Sequence, residues 1–264
     1  MPYSITVPLK TIRSLPEEAG NVYRALNALL YRWLKAAESP LADFVHDEAE
    51  PKPFTLSPLI ADGEERYHFR VTLLEDEYGP FVSNGMEQER TLRIGTRILE
   101  IDGNADVEHR PYADIVEQAG TSPLIVLRFE SPTSRRIGFP PPDKHHIDDP
   151  LPEPRTLFAS YLKGWQAFSG QPIEPAEALL DWVEQFVAVS RFDIRSEVLK
   201  FETYSQIGCV GQVAYTVIRR DREDVQAIRL LNMLADYAWF CGTGHKTTQG
   251  MGQTRRLERW PHTH

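Results

Sequence analysis

The chain has 264 residues, 41% hydrophobic and 25% charged, which is ordinary for a folded protein long enough to form two domains of roughly 130 residues. No apolar run approaches the roughly 18 residues of a membrane helix, and Met1-Pro-Tyr-Ser lacks the charged start of a signal peptide, so a cytoplasmic protein is expected. The net charge of −9 lies wholly in the first half: residues 1–121 hold 12 Lys+Arg against 21 Asp+Glu, and residues 122–264 hold 17 against 17, leaving local arginine pairs free to meet an anionic partner.

In chain order, Tyr3 to Lys10 alternates like a strand, and Leu15-Pro-Glu-Glu opens a helix whose Val22, Leu26, Leu29, Leu30 and Trp33 form one apolar stripe. Strand-like runs follow at Phe54 to Leu59 and Tyr67 to Leu74, then a short helical stretch near Phe81 to Glu89 and strand runs between Thr91 and Ile101. That order is β-α-β-β-α-β, the ferredoxin-like arrangement.

The second half repeats the order more loosely. Leu124 to Phe129 reads as a strand, and the proline-rich stretch from Pro140 to Pro154 as a loop. Helices are expected at Arg155 to Phe168 and Pro175 to Val189, and strands at Val198 to Tyr204 and Gly211 to Ile218. A helix from Asp224 to Phe240 then places Val225, Ile228, Leu231 or Asn232, and Ala235 at helical spacing, and a last strand fits within Gln253 to Trp260. The expected fold is therefore α+β, two tandem ferredoxin-like domains spanning 1–121 and 122–264. Cys209 and Cys241 fall on a strand and a helix end, where a reducing compartment leaves them as small buried hydrophobes. His145-His146 is too isolated to supply a zinc site, so no metal or other cofactor is expected.

Two segments carry chemistry. The first links the opening helix to the next strand, Leu41-Ala-Asp-Phe-Val-His46-Asp-Glu-Ala-Glu-Pro-Lys52-Pro-Phe54. His46 can act as an acid or base near neutral pH, Lys52 can stabilise charge on a phosphate, and Tyr31 lies on the preceding helix. Taken singly, each has a plainer reading, as a surface histidine, a solvated lysine and a half-buried tyrosine.

The second segment is Gly242-Thr-Gly244-His-Lys246-Thr-Thr-Gln-Gly250-Met-Gly252-Gln-Thr-Arg255-Arg256. Glycines let backbone amides converge on an anion, and the lysine and arginines add charge. A Walker loop is excluded, because histidine rather than glycine stands directly before Lys246 and the order is helix to strand rather than strand to helix.

These segments together resemble the CRISPR-associated endoribonucleases that cut repeat RNA, the sixth Cas family. The resemblance rests on His46-Asp-Glu with Lys52-Pro-Phe-Thr-Leu-Ser-Pro-Leu59, on the terminal glycine motif, on Leu127 to Thr133 with Pro152 to Phe168, and on Gly208-Cys-Val-Gly211-Gln-Val-Ala-Tyr215. It implies metal-independent cleavage of precursor CRISPR RNA, with His46 and Tyr31 as the acid–base pair and Lys52 bracing the phosphorane. The glycine loop, Gly242, Gly244, Gly250 and Gly252 with Lys246, Arg255 and Arg256, would grip the RNA backbone, and Arg135 and Arg136 would line the cleft. Catalytic residues vary within the family, so His245 and His145-His146 stand as substitutes for His46. Expected partners are precursor CRISPR RNA and a CRISPR effector complex; the oligomeric state stays open, a homodimer included. The rival reading is a noncatalytic RNA-binding subunit of an interference complex, built on the same loop.

Overall fold

The computed structural model describes residues 1–14, 22–36, 51–94, 96–138, 146–201, 204–218 and 224–261. The chain divides into two compact units: Met1–Arg110 with Thr247–Gly250, and Pro111–Lys246 with Met251–His264. The division expected at 121/122 falls eleven residues beyond the one at Arg110/Pro111, because a helix at Tyr112–Glu117 belongs with the second unit. Among the described residues no helix is long and apolar enough to cross a membrane.

In the first unit, strand β1 (Tyr3–Ser14) leads to helix α1 (Val22–Ala36), strands β2 (Phe54–Leu56), β3 (Ile60–Ala61) and β4 (Arg66–Leu73), and helix α2 (Gly79–Gln88). Strands β5 (Thr91–Ile94), β6 (Arg97–Ile101) and β7 (Asp106–His109) complete it. The sheet runs β2-β4-β1-β6-β5, with every pair antiparallel. A central β1 between β4 and β6, with β2 outside β4, is the ferredoxin-like order, and the β5–β6 hairpin extends it.

The expected stripe on α1 exists because residues three and four apart share a helix face. Leu26, Leu29, Leu30 and Trp33 are fully buried in one core with Ile5, Val7 and Leu9 of β1 and Phe69 and Val71 of β4. Helix α2 closes on α1 at a glycine. A Cβ at Gly85 would sit 2.3 Å from the Trp33 Cβ, so a side chain there would push the helices apart.

The second unit opens with α3 (Tyr112–Glu117) and β8 (Leu124–Thr133), then a two-stranded ribbon of β9 (Arg135–Gly138) and β10 (His146–Asp149). Helices α4 (Pro154–Phe168) and α5 (Ala176–Phe186), strands β11 (Val187–Lys200) and β12 (Ser205–Val217), helix α6 (Val225–Cys241) and strand β13 (Thr254–Leu257) follow. The sheet order β11-β12-β8-β13 repeats the ferredoxin-like plan. Glu153 caps α4 by accepting from the amides of Arg155 and Thr156, both at 2.8 Å, and Pro154 enters the first turn, where its missing N–H costs nothing. Edge-to-face rings lock the helix layer: Trp165 meets Tyr112 at 5.3 Å and 90°, and Tyr237 at 5.3 Å and 89°.

Four expectations change here. Strand rather than helix begins at Val187, where β11 pairs with β12. Residues 146–149 of the expected proline-rich loop form β10. Val225 is 47% exposed, whereas Ile228, Leu231, Asn232 and Ala235 are all buried. Cys241, expected to be buried, is only half-buried, while Cys209 is buried. Burial raises both thiol pKa values, that of Cys209 to about 11, so both stay protonated and unreactive at neutral pH.

Candidate nucleic-acid interface

Helix α6 ends because Gly242, at φ +67°, turns the chain out of the helix while its N–H still donates to the Ala238 carbonyl at 3.0 Å. Gly244, Gly250 and Gly252 also have positive φ, +80°, +89° and +73°, and so does Lys246 at +57°. Two of the glycines are required sterically. A Cβ at Gly244 would lie 2.1 Å from the Ser134 carbonyl oxygen, and one at Gly252 2.2 Å from that of Thr243.

Those close approaches are hydrogen-bonded. His245 N donates to Ser134 O at 3.1 Å, Gly252 N to Pro132 O at 3.0 Å, and Thr243 N to Gly252 O at 2.8 Å. Beneath them the hydroxyls of Tyr161, Thr243 and Thr254 form a buried chain with both links at 2.6 Å. The loop thus spends the amides of Gly242, Thr243, His245, Met251 and Gly252 on its own shape. Among the described residues the amides of Gly244 and Lys246 make no hydrogen bond, and the left-handed backbone at both positions leaves them to an outside acceptor.

The cations divide into two groups. Arg135 is tied into the fold: its guanidinium donates to Asp149 Oδ2 at 2.7 Å and to the Thr156 hydroxyl at 2.6 Å. Arg256 donates to the Asn232 carbonyl at 3.1 Å and to Asp236 Oδ1 at 3.0 Å, and bonds the buried Asn232 side chain as well. Arg255 is half-exposed, 3.1 Å from Glu130 and stacked 5.1 Å from the Trp239 ring. Arg136, on the ribbon, is exposed.

Lys246 projects onto an aromatic pair. Its ammonium donates to the Tyr204 hydroxyl at 2.6 Å and lies 4.2 Å and 4.7 Å from the Tyr204 and Phe201 ring centroids. The two rings stack at 4.8 Å and 17°. Neither ring was expected from sequence; the signal available was two aromatics three residues apart at the turn between strands.

Of the two substitute histidines among the described residues, His245 is the better partnered. Nε2 lies 2.7 Å from Gln206 Oε1 and 3.4 Å from Asp148 Oδ1, and Nδ1 lies 3.2 Å from the Ser134 carbonyl. Burial holds its pKa below the usual value, with Asp148 pulling the other way. His146 sits exposed on β10. His46 and His145 lie outside the described residues.

In the first unit, Tyr31 is half-buried on α1, with the Lys35 ammonium 6.0 Å from its ring centroid. Lys52 is half-buried two residues before β2. The turn Thr247–Gln249, from the middle of the glycine loop, packs against both β2 and α1. Asn27, one helical turn before Tyr31 on the same face of α1, donates to the Thr248 carbonyl at 3.1 Å. Asn27 carries a signal that periodicity alone passes over, a polar side chain beside an apolar stripe.

The sequence profile of the family described as CRISPR-associated endoribonuclease Cas6 matches residues 127–254. The chain is similar in fold to the Cas6 (TTHB231) product complex, at TM-score 0.82 and 23% identity over 97% of this chain and 100% of that one. It is also similar to the Cas6 (TTHA0078) product complex, at 0.74 and 25% over 98% and 100%, and to Thermus thermophilus Cas6 (TTHB231), at 0.71 and 25% over 97% and 98%. Among curated protein sequences none matches. The family profile covers residues 127–254, just under half of the chain, and the likeness in fold runs through both ferredoxin-like units; together they support a Cas6-family endoribonuclease that acts in CRISPR RNA processing.

Proposed function

We propose that this protein cuts precursor CRISPR RNA within each repeat, in the cytoplasm and without a metal, releasing guide RNA that an effector complex takes up. The 2′-hydroxyl attacks the adjacent phosphorus in line, forming the O2′–P bond as the P–O5′ bond breaks. The products are a 2′,3′-cyclic phosphate and a 5′-hydroxyl. His46 and Tyr31 share the proton work, one taking the O2′ proton and the other protonating O5′. Lys52 stabilises the charge that gathers on the pentacoordinate phosphorane.

One observation carries this reading: the turn Thr247–Gln249 of the glycine loop packs on the helix that bears Tyr31 and on the strand that follows Lys52. The middle of the glycine loop and the elements bearing candidate catalytic side chains thereby belong to one unit. The Gly244 and Lys246 amides, the Lys246 ammonium, Arg136 and Arg255 then hold the RNA backbone, while Arg135 and Arg256 shape the elements that present them. A relative solved as a product complex supports RNA as the ligand.

The test mixes the purified protein with end-labelled repeat RNA in EDTA. Cleavage at one position, abolished by His46→Ala and by a 2′-deoxy nucleotide at that position, is the expected result. Cleavage that His46→Ala leaves intact would remove His46 from the chemistry, and tight binding with no cleavage would favour the noncatalytic guide-RNA subunit.

A further inference from the structure

The His245 imidazole lies against three oxygens and, while neutral, has too few protons for them. Nδ1 is 3.2 Å from the Ser134 carbonyl, and Nε2 is 2.7 Å from Gln206 Oε1 and 3.4 Å from Asp148 Oδ1. The carbonyl and the carboxylate only accept, whereas a neutral imidazole carries one N–H. Whichever nitrogen holds that proton, the other turns a lone pair toward an oxygen. Among the described residues Asp148 Oδ1 is buried without a hydrogen bond, and the His245 and Asp148 side chains are only 13% and 12% exposed. The cage matches the imidazolium, whose two N–H groups serve both sides at once.

The surroundings hold the ring neutral. Burial is the largest cost to the cation; Asp148 on β10 favours it, while Arg136 on β9 and Lys246 in the loop oppose it. Strand β12 adds only the neutral Gln206, and the segment between β8 and β9 only the neutral Ser134. The two opposing cations are groups that face RNA in the reading above, and the unbonded amides of Gly244 and Lys246 flank the histidine in the chain. A phosphate on those amides brings negative charge to the ring's neighbours and pairs with both cations, leaving Asp148 as the charge the ring meets. With both nitrogens turned to protein groups, His245 acts on RNA through the loop and not on the reacting atoms.

We propose that His245 is a positioning residue that takes up one proton from solvent as RNA phosphates settle on the Gly244 and Lys246 amides, closing a Ser134–His245–Asp148 bridge that fixes the loop to the β9–β10 ribbon. This rests on RNA being the ligand of the glycine loop. The complex then holds one proton more than the free partners, so RNA affinity rises as pH falls.

The test titrates uncleavable repeat RNA, 2′-deoxy at any position the protein cuts, against the wild type and His245→Gln between about pH 5.5 and pH 7.5 at fixed salt. Over that interval the wild-type affinity is expected to rise about tenfold more than that of the variant. The other histidines titrate alike in both proteins, so the difference reads His245 alone. In the wild type, the His245 ring signal in nuclear magnetic resonance, assigned through its backbone, is expected to titrate at higher pH in the complex than in the free protein. Equal pH dependence in the two proteins, or a ring signal that titrates at the same or a lower pH in the complex, would overturn the proposal. RNA that binds at no pH would instead overturn the reading of RNA as the ligand, and the proposal with it.

Discussion

The Asn27 side-chain amide donates to the carbonyl of Thr248 at 3.1 Å, joining helix α1 to a turn 221 residues later in the chain. A single hydrogen bond of this kind is worth about 1 kcal/mol net, or roughly fivefold in a local opening equilibrium. Asn27→Ala should therefore speed hydrogen exchange at residues 247–250 by about fivefold and slow RNA cleavage with it. Unchanged exchange there would mean that packing on α1 and β2, without this hydrogen bond, holds the turn.

Gly244 combines φ +80° with a carbonyl 2.1 Å from where a Cβ would stand. Gly244→Ala adds a left-handed cost of about 1–2 kcal/mol to that collision, so the loop must move and its amides lose their alignment. Chemical denaturation should show the loss of stability and RNA titration a loss of affinity. Gly138→Ala, with nothing within 4 Å of the new Cβ, is the matched control and should change neither.

Lys246 holds a positive φ without being glycine, a conformation that costs about 1 kcal/mol. Lys246→Gly should raise or preserve the melting temperature while weakening RNA binding and lowering the slope of log affinity against log salt by about 1. A slope equal to wild type would place the ammonium on Tyr204 in the complex too.

The adjacent arginines should separate cleanly. Arg256→Ala strips partners from the fully buried Asn232 and from Asp236, and is expected to cost about 2–3 kcal/mol in urea unfolding. Arg255→Ala, at a half-exposed site, should leave stability nearly unchanged and reduce only RNA affinity.

Burial keeps the His245 pKa below its ordinary 6.5, opposed by Asp148 and aided by Arg136 and Lys246. The unfolded chain binds a proton near 6.5 that the folded chain refuses until lower pH. Stability should therefore fall as pH drops through about 6.5 and level off below the folded-state pKa. His245→Gln should flatten that limb of the curve, measured by urea unfolding between about pH 5 and pH 7; an identical limb in the variant would assign it to other groups.

The fold was legible where one face is buried. The α1 stripe and the alternation of Ile5, Val7 and Leu9 follow directly from core contact. Strand β11 was readable only at its end, because residues exposed on both faces carry no period-two signal. The β9–β10 ribbon escaped for a similar reason, since Arg136 and Ile137 are exposed and the strand is short. Within the glycine loop the sequence marked the two arginines but could not divide them: Arg255 and Arg256 look alike until Asn232 and Asp236 are found beneath one of them. Asn27 was hidden because its partner is a main-chain carbonyl, which no residue type encodes.

The first unit includes Thr247–Gly250, and this has a consequence for synthesis. Residues 1–110 leave the ribosome early, yet the turn that rests on α1 and β2 is translated only after β8, the ribbon and helix α6. The surface around Asn27 and Tyr31 must wait in nascent protein without its last piece. Completion of the first unit is thus tied to near-completion of translation, so a chain interrupted before residue 247 would lack the turn that packs against α1 and β2.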